Sequence, residues 1–290
     1  LLEWMVDFDP ATAENILSQE RKIFSESGFP AGMAQSFNHT ILPLASARDK
    51  KIQIQWGLFE FQYRFGHSAS GIWLPEAAVN DETLRIAVEC GVEYVILAPW
   101  QCQTIGANMN QPGWVKLGNG KQIAAFFYNQ GLSTRVSFDP GSTSNADEFM
   151  VRYLMPEFAN GETKKNKEKF IIIASDGELY GHHQKFRDQF LARLTTGDLG
   201  RKLISHLTPA QWLDKHPPRQ EVKILQNSSW SCHHGVSRWS ENCGCTPHSD
   251  WKTPLRLALD EVAALIDPVY ENAYNAGGLD PNYLLESYIK

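Results

Sequence analysis

Phe170-Ile171-Ile172-Ile173-Ala174 is apolar at every position and is followed at once by Ser175-Asp176. A run with no polar face has nothing to offer water, so it predicts a strand in a sheet covered on both sides. Shorter apolar runs of the same kind occur at Met33 to Phe37, Ile72 to Leu74, Tyr94 to Ala98, Ile123 to Tyr128 and Val222 to Leu225. Helical patterns separate them. Ile52, Trp56, Phe59 and Tyr63 recur at helical spacing between Lys51 and Phe65, with Gly66 as a stop. Asn80 is placed to cap a second helix carrying Leu84, Ile86, Ala87 and Val88, which Gly91 closes. Further helices are expected at Asn145 to Tyr153, Gln184 to Leu194 and Thr253 to Ala273, and a solvated loop from Gly161 to Lys169. Strands alternating with helices predict an α/β fold with a mainly parallel sheet.

Composition removes several classes of function. The formal net charge of -6 does not suit a nucleic-acid-binding face. No apolar run approaches the ~18 residues of a membrane span. The first residues, Leu1-Leu2-Glu3-Trp4-Met5-Val6-Asp7, lack the basic and small-residue features of a signal peptide. The chain does not begin with Met and is read as a fragment of a longer protein. Five cysteines, an odd number, fit reduced thiols in a cytoplasmic protein better than a disulfide framework. Nine Trp and fifteen Phe favour carbohydrate, because aromatic faces stack on sugar rings.

In parallel α/β folds the working residues lie beyond the C-terminal ends of the strands. Two carboxylates occupy that place here: Glu76, closing Gly71-Ile72-Trp73-Leu74-Pro75-Glu76, and Asp176, opening Asp176-Gly177-Glu178-Leu179-Tyr180-Gly181-His182-His183. Cleavage of a glycosidic bond needs such a pair, one acid for the leaving oxygen and one carboxylate facing the anomeric carbon. An apolar setting and the neighbouring Glu178 would both raise the Asp176 pKa, as an acid holding its proton requires. The competing readings are an exposed loop glutamate and a helix N-cap.

His182 is expected to hydrogen-bond a sugar hydroxyl, since adjacent histidines such as His182 and His183 point apart and seldom share one ion. The long segment from Gln226 to Asp250 is rich in Trp, His and Cys, and loops of that length tend to be functional. Trp230 and Trp239 could be stacking platforms and His234 a hydroxyl partner, or the tryptophans could cap the core. A zinc site from Cys232, His233 or His234, Cys243 and Cys245 is the other reading. It is set aside because Cys243-x-Cys245 lacks the usual two-residue gap and Cys232 stands alone.

Four ordered segments resemble the conserved regions of glycoside hydrolase family 57, from about His39 to Trp239. His39-x-x-Leu42-Pro43-Leu44 resembles the second region, with a substrate-side histidine. Gly71-x-Trp73-Leu74-Pro75-Glu76 resembles the third, whose final glutamate is the nucleophile. Asp176-x-Glu178-Leu179-x-Gly181-His182 resembles the fourth, whose aspartate is the general acid/base, and Ser229-Trp230 through Trp239 resembles the fifth. The family's first, histidine-rich region has no counterpart. The stretch from Ser231 to Cys245 departs from the well-studied amylases and resembles a bacterial branch with an extra C-terminal region.

The resemblance implies an incomplete (β/α)7 TIM-like barrel, a retaining mechanism on α-linked glucans and no obligatory metal or other cofactor. The expected site is then Glu76 and Asp176 as catalytic pair, with His39, Trp73, Glu178, His182, Trp230, His234 and Trp239 on the substrate. The barrel is expected over residues 1–250 and a helical segment over 251–290. Expected partners are oligo- or polysaccharides, not nucleic acid or membrane. Two alternatives accompany this reading: a metal-dependent polysaccharide deacetylase, requiring His39, Asp176 and His182 to converge on one ion, and an inactive carbohydrate-binding relic.

Overall fold

The computed structural model describes residues 2–159, 169–278 and 280–289. Helices α1 (Leu2–Phe8) and α2 (Pro10–Ser27) lead to strand β1 (Ala34–Gln35), helix α3 (Ala47–Phe65), strand β2 (Gly71–Trp73) and helix α4 (Asp81–Glu89). Strand β3 (Tyr94–Leu97) is followed by the hairpin of β4 (Gly113–Gly118) and β5 (Lys121–Phe127). The sheet order is β1-β2-β3-β5-β4, parallel throughout except for the β4–β5 pair. This is the expected mainly parallel α/β architecture. The expected short strands at 33–37, 72–74, 94–98 and 123–128 all contribute to the sheet, and the expected helix does end at Gly66, whose φ of 82° only glycine adopts freely. The hairpin strand β4 had no counterpart in the sequence reading, although Asn119-Gly120 at its turn, with φ of 51° and 74°, is a hairpin signal.

Both faces of the sheet are covered, which explains the unbroken apolar runs. Val95, Leu97, Ile123, Ala125 and Phe127 face α3 and α4, together with Ile54, Phe61 and Leu84. Tyr94, Ile96, Ala124, Phe126 and Tyr128 face the other way, against Trp212. Two glycines let the layers approach. A Cβ on Gly57 of α3 would lie 1.6 Å from the Gln35 carbonyl oxygen of β1, and one on Gly71 would lie 2.3 Å from the Tyr94 ring.

The second half is more helical: α5 (Gln130–Phe138), α6 (Ala146–Phe149), a π-helical turn at Met150–Leu154, α7 (Met155–Ala159), α8 (Arg187–Thr196), α9 (Asp198–Leu203) and α10 (Pro209–Lys215). Three expectations are corrected here. The run Phe170 to Ala174 is extended but joins no ladder. Its hydrogen bonds go to three separate partners: Phe170 N–H to Asn110 O (3.0 Å), Asn129 N–H to Ile172 O (2.8 Å) and Ala174 N–H to Ser133 Oγ (3.0 Å). The adjacent chain leaves β5 and turns into α5, so no strand remains to pair with. It is nonetheless packed on two sides, with Phe170, Ile172 and Ala174 on one cluster and Ile171 and Ile173 on another. Likewise Val222 to Leu225 makes isolated bridges rather than a ladder, with Glu221 beside Trp114 and Ile224 beside Cys102. Helix α8 starts at Arg187, three residues later than expected, because Tyr180 and Gln184 first close a turn. The expected loop from Gly161 lies, except for Lys169, outside the described residues.

Beyond residue 236 come α11 (Ser237–Ser240), α12 (Lys252–Ala276) and α13 (Pro281–Ser287). The last two return to α3. Arg48 binds Asp267 (2.7 Å), Lys51 binds Glu286 (2.5 Å) and the Trp56 indole N–H donates to Leu285 O (2.9 Å). The apolar side chains of α12 are exposed, with Leu255, Leu257, Leu259, Val262 and Ile266 all open to solvent.

Candidate active site

Leu74-Pro75 carries the chain out of β2 into a tight turn, in which Glu76 has φ 58° and ψ 19° and Ala77 has φ 46°. Left-handed geometry at a non-glycine residue costs roughly 1–3 kcal/mol and persists only where the surroundings enforce it. They do so here. The Ala77 amide donates to Leu74 O (2.8 Å), and the Glu76 carbonyl accepts the Trp230 amide (3.0 Å). The side chain is held too: Glu76 Oε2 accepts the Trp230 indole N–H (3.2 Å), and His39 Nε2 lies 3.7 Å from Oε1.

Gln101 fastens these loops from beneath. It is fully buried, directly after β3, and its side chain bonds three segments at once. Its amide nitrogen donates to Ala77 O (2.8 Å) and Ser228 Oγ (2.9 Å), while its oxygen accepts the Ala98 amide (2.8 Å). The residue after Glu76 and the approach to Trp230 are therefore locked to one point.

Asp176 follows the extended run and precedes a 3-10 turn at Gly177–Leu179. It occupies the N-cap position, but its side chain makes no capping bond, which leaves the carboxyl free. Partial burial in the cleft raises its pKa above the usual aspartate range, assisted by the charges of Glu178 and Glu76 and opposed by His183. Desolvation is the first cause even though the Asp176 side chain remains exposed to solvent, so only the direction of the shift bears on its role.

Glu76 and Asp176 line one cavity of about 270 Å³, together with Trp100, Tyr128, Gln130, Ser133, Thr134, Trp230 and Ser231 among others. Its aromatic wall is built edge to face: Trp73 on Trp230 (4.9 Å), Tyr128 on Trp230 (6.1 Å) and Trp100 on Tyr128 (6.0 Å). Burial pushes the Tyr128 hydroxyl up to about 12, so it stays a hydrogen-bond donor across the working range. Trp100 and Tyr128 were missed in the sequence. The signal was present, since Tyr128 closes one apolar run and Trp100 follows another by two residues.

The remaining expected residues divide. Trp230 lines the cavity, Trp73 supports it, His39 approaches Glu76, and Glu178 acts on Asp176 through its charge. His182 packs at a tilt against His183 (4.8 Å), and Trp239 is half-buried in α11; neither lines the cavity. His234 is also turned away from it. Its Nδ1 lies 3.3 Å from Cys245 Sγ and 3.7 Å from Cys232 Sγ. The spacing argument against convergence of this loop's cysteines does not hold in three dimensions. Cys232, His234, Cys243 and Cys245 bring one ligand atom each within 4.8 Å of one another. Among the described residues no such set joins His39, Asp176 and His182, so the deacetylase alternative lacks its ligands.

The fold is an α/β scaffold of the TIM-like barrel type, and the two carboxylates lie on loops that share one cavity of it. The match to the model of glycosyl hydrolase family 57 covers residues 11–225, and the chain belongs to that family. Among curated proteins it is 22% identical over 243 residues to a 4-alpha-glucanotransferase of Thermococcus litoralis, covering 80% of this chain and 34% of that protein. It is 24% identical over 247 residues to an alpha-amylase of Pyrococcus abyssi, again covering 80% and 34%. The chain thus spans about a third of the length of these relatives. An exo-type maltose-forming amylase from Pyrococcus sp. ST04 superposes with a TM-score of 0.75 at 15% identity, covering 99% of this chain and 53% of that one. A family 57 branching enzyme from Thermococcus kodakaraensis superposes with a TM-score of 0.66 at 19% identity, covering 87% and 58%. These likenesses confirm the incomplete-barrel fold.

Proposed function

We propose that this chain carries the catalytic centre of a retaining α-glucan hydrolase or transglycosidase, with Glu76 as nucleophile and Asp176 as acid/base. The observation that carries the reading is the shared cavity: two carboxylates, one following β2 and one following the extended run 170–174, face one aromatic-walled space. The relatives named as amylases and a glucanotransferase support α-linked glucan as the substrate class.

The environments differ in the direction the roles require. The Asp176 pKa is raised, the direction required of an acid that gives its proton to the leaving oxygen. Glu76, fixed by the Trp230 indole and the turn, presents a carboxylate to the anomeric carbon. Ester formation at Glu76 consumes its negative charge, and that charge is one of the causes holding the Asp176 pKa up. The Asp176 pKa therefore falls in the intermediate, and the group becomes the base that activates water or an acceptor hydroxyl. The cavity is smaller than the ~300–1,000 Å³ typical of ligand pockets, so it suits the reacting sugar while the rest of a glucan runs outside.

The test is product stereochemistry. Proton NMR during cleavage of an α-linked maltooligosaccharide should show the α-anomer appearing first, whether water or sugar is the acceptor. Initial release of the β-anomer would exclude Glu76 as a nucleophile and overturn the reading.

A further inference from the structure

We infer that Cys232, His234, Cys243 and Cys245 form a structural zinc site that fastens the loop carrying Trp230. Four of the six separations among these ligand atoms are close to those of a tetrahedral zinc site. Zinc bonds of ~2.3 Å to sulfur and ~2.0–2.1 Å to nitrogen place tetrahedral ligands ~3.8 Å apart for two sulfurs and ~3.5 Å apart for sulfur and nitrogen. Here Cys232 Sγ lies 3.9 Å from Cys243 Sγ and 3.6 Å from Cys245 Sγ. His234 Nδ1 lies 3.7 Å and 3.3 Å from the sulfurs of Cys232 and Cys245. All four atoms fall within 4.8 Å of one another, and the cysteines are unbridged.

The surrounding structure holds the ligands in place. Gly235, at φ 60°, closes the first turn through its amide bond to Cys232 O (3.0 Å). A Cβ there would lie 2.0 Å from Asn227 O, so the turn accepts only glycine. Gly244, at φ 79°, bends the chain between Cys243 and Cys245 so that a one-residue gap suffices for both to face inward. Asn242 anchors that bend, accepting the Gly244 amide (3.0 Å) and the hydroxyl of buried Ser249 (2.9 Å) while donating to Asp250 (2.8 Å). Three thiolates and one imidazole are a soft, tetrahedral set that selects zinc over hard oxygen-seeking cations. Three thiolates around a dication leave one negative charge, and the Lys252 ammonium, donating to Arg238 O (2.7 Å), stands beside the loop to offset it.

The consequence reaches the catalytic cavity. Cys232 is two residues beyond Trp230, whose amide and indole both hold Glu76. A metal joining the 232–234 and 243–245 turns braces the Trp230 backbone against the start of α12. None of the four ligands lines the cavity of Glu76 and Asp176, so the zinc would be structural rather than catalytic.

The site is tested without reference to glycosidase activity, so its failure is separable from failure of the proposed function. Protein purified without chelator should contain one zinc per chain by plasma mass spectrometry. The Cys243→Ser/Cys245→Ser variant should contain none. Replacement of the metal in the unmutated protein by Co²⁺ should produce the visible bands of tetrahedral cobalt with an intense near-ultraviolet thiolate band. This arm stands even where the variant fails to fold. Reduced protein that neither retains zinc nor gives the thiolate–cobalt band would overturn the site. So would a disulfide among these cysteines in place of metal, or equal zinc in the variant.

Discussion

Trp230 grips Glu76 twice, its backbone amide on the Glu76 carbonyl at 3.0 Å and its indole N–H on Oε2 at 3.2 Å. The two residues are 154 positions apart, yet one fixes both the strained backbone and the carboxylate orientation of the other. Trp230 thus has a role beyond that of a stacking surface.

This relationship predicts a separation of effects in Trp230→Phe, which keeps the ring packed against Trp73 and Tyr128 but removes the indole donor. A hydrogen bond to a charged group is worth about 1.5–3 kcal/mol. We expect kcat/KM to fall by roughly ten- to a hundred-fold, with a comparatively small change in Tm. Unchanged kinetics would mean that the indole bond does not orient the nucleophile.

Glu76→Gln and Asp176→Asn should each remove most turnover, by at least ~10²–10⁴-fold, while circular dichroism stays native. They should differ in stability. The Asp176 pKa is raised in the folded state, so its favourable contribution is complete below the unfolded value of ~3.9 and is lost as pH rises through the folded value. Asp176→Asn should therefore not lower Tm at neutral pH, and any gain should vanish on acidification below that window. A variant stabilised only in acid would contradict the direction assigned to Asp176.

The pH profile offers a third test, through Glu178. Burial is the main cause of the raised Asp176 pKa and the Glu178 charge is the next. Glu178→Gln removes that charge, so the Asp176 pKa should fall. The basic limb of the kcat/KM profile should move to lower pH, whatever happens to its height. A limb that stays in place would show that Asp176 is not the group titrating there.

Gln101→Leu preserves much of the volume but leaves Ala77 O and Ala98 N–H without their partner, while Ser228 Oγ keeps only its bond to Leu225 O. Each buried orphan costs about 1–3 kcal/mol. The expected loss of stability is roughly 2–5 kcal/mol, read by denaturant titration, with a kcat loss that exceeds any KM change. Full stability would show that water or a rearranged loop satisfies these groups.

Most of the sheet was legible, because burial on both faces demands continuous apolar residues and these stand out in any sequence. The helices ended by Gly66 and capped by Asn80 were legible for similarly local reasons. The run at 170–174 shows the limit. Its double-sided burial was readable, but a ladder needs a neighbour, and the neighbour turns away at Gln130. The same limit applied at Val222 to Leu225.

The site followed that division. Residue type and position after an apolar run determined Glu76 and Asp176 as the candidate pair, because carboxylates emerging from buried runs are local features of the chain. Trp100 and Tyr128, at equally local positions, escaped notice because an aromatic at or near the end of an apolar run also reads as core. Only tertiary structure decided what surrounds the pair. The Trp230 bonds, the triple clasp of Gln101 and the convergence of Cys232 and His234 with Cys243 and Cys245 all join segments distant in sequence. Their distances depend on how loops fold over the ends of a sheet. Spacing along the chain separated the cysteines of that loop, and the left-handed turns at Gly235 and Gly244 brought them together.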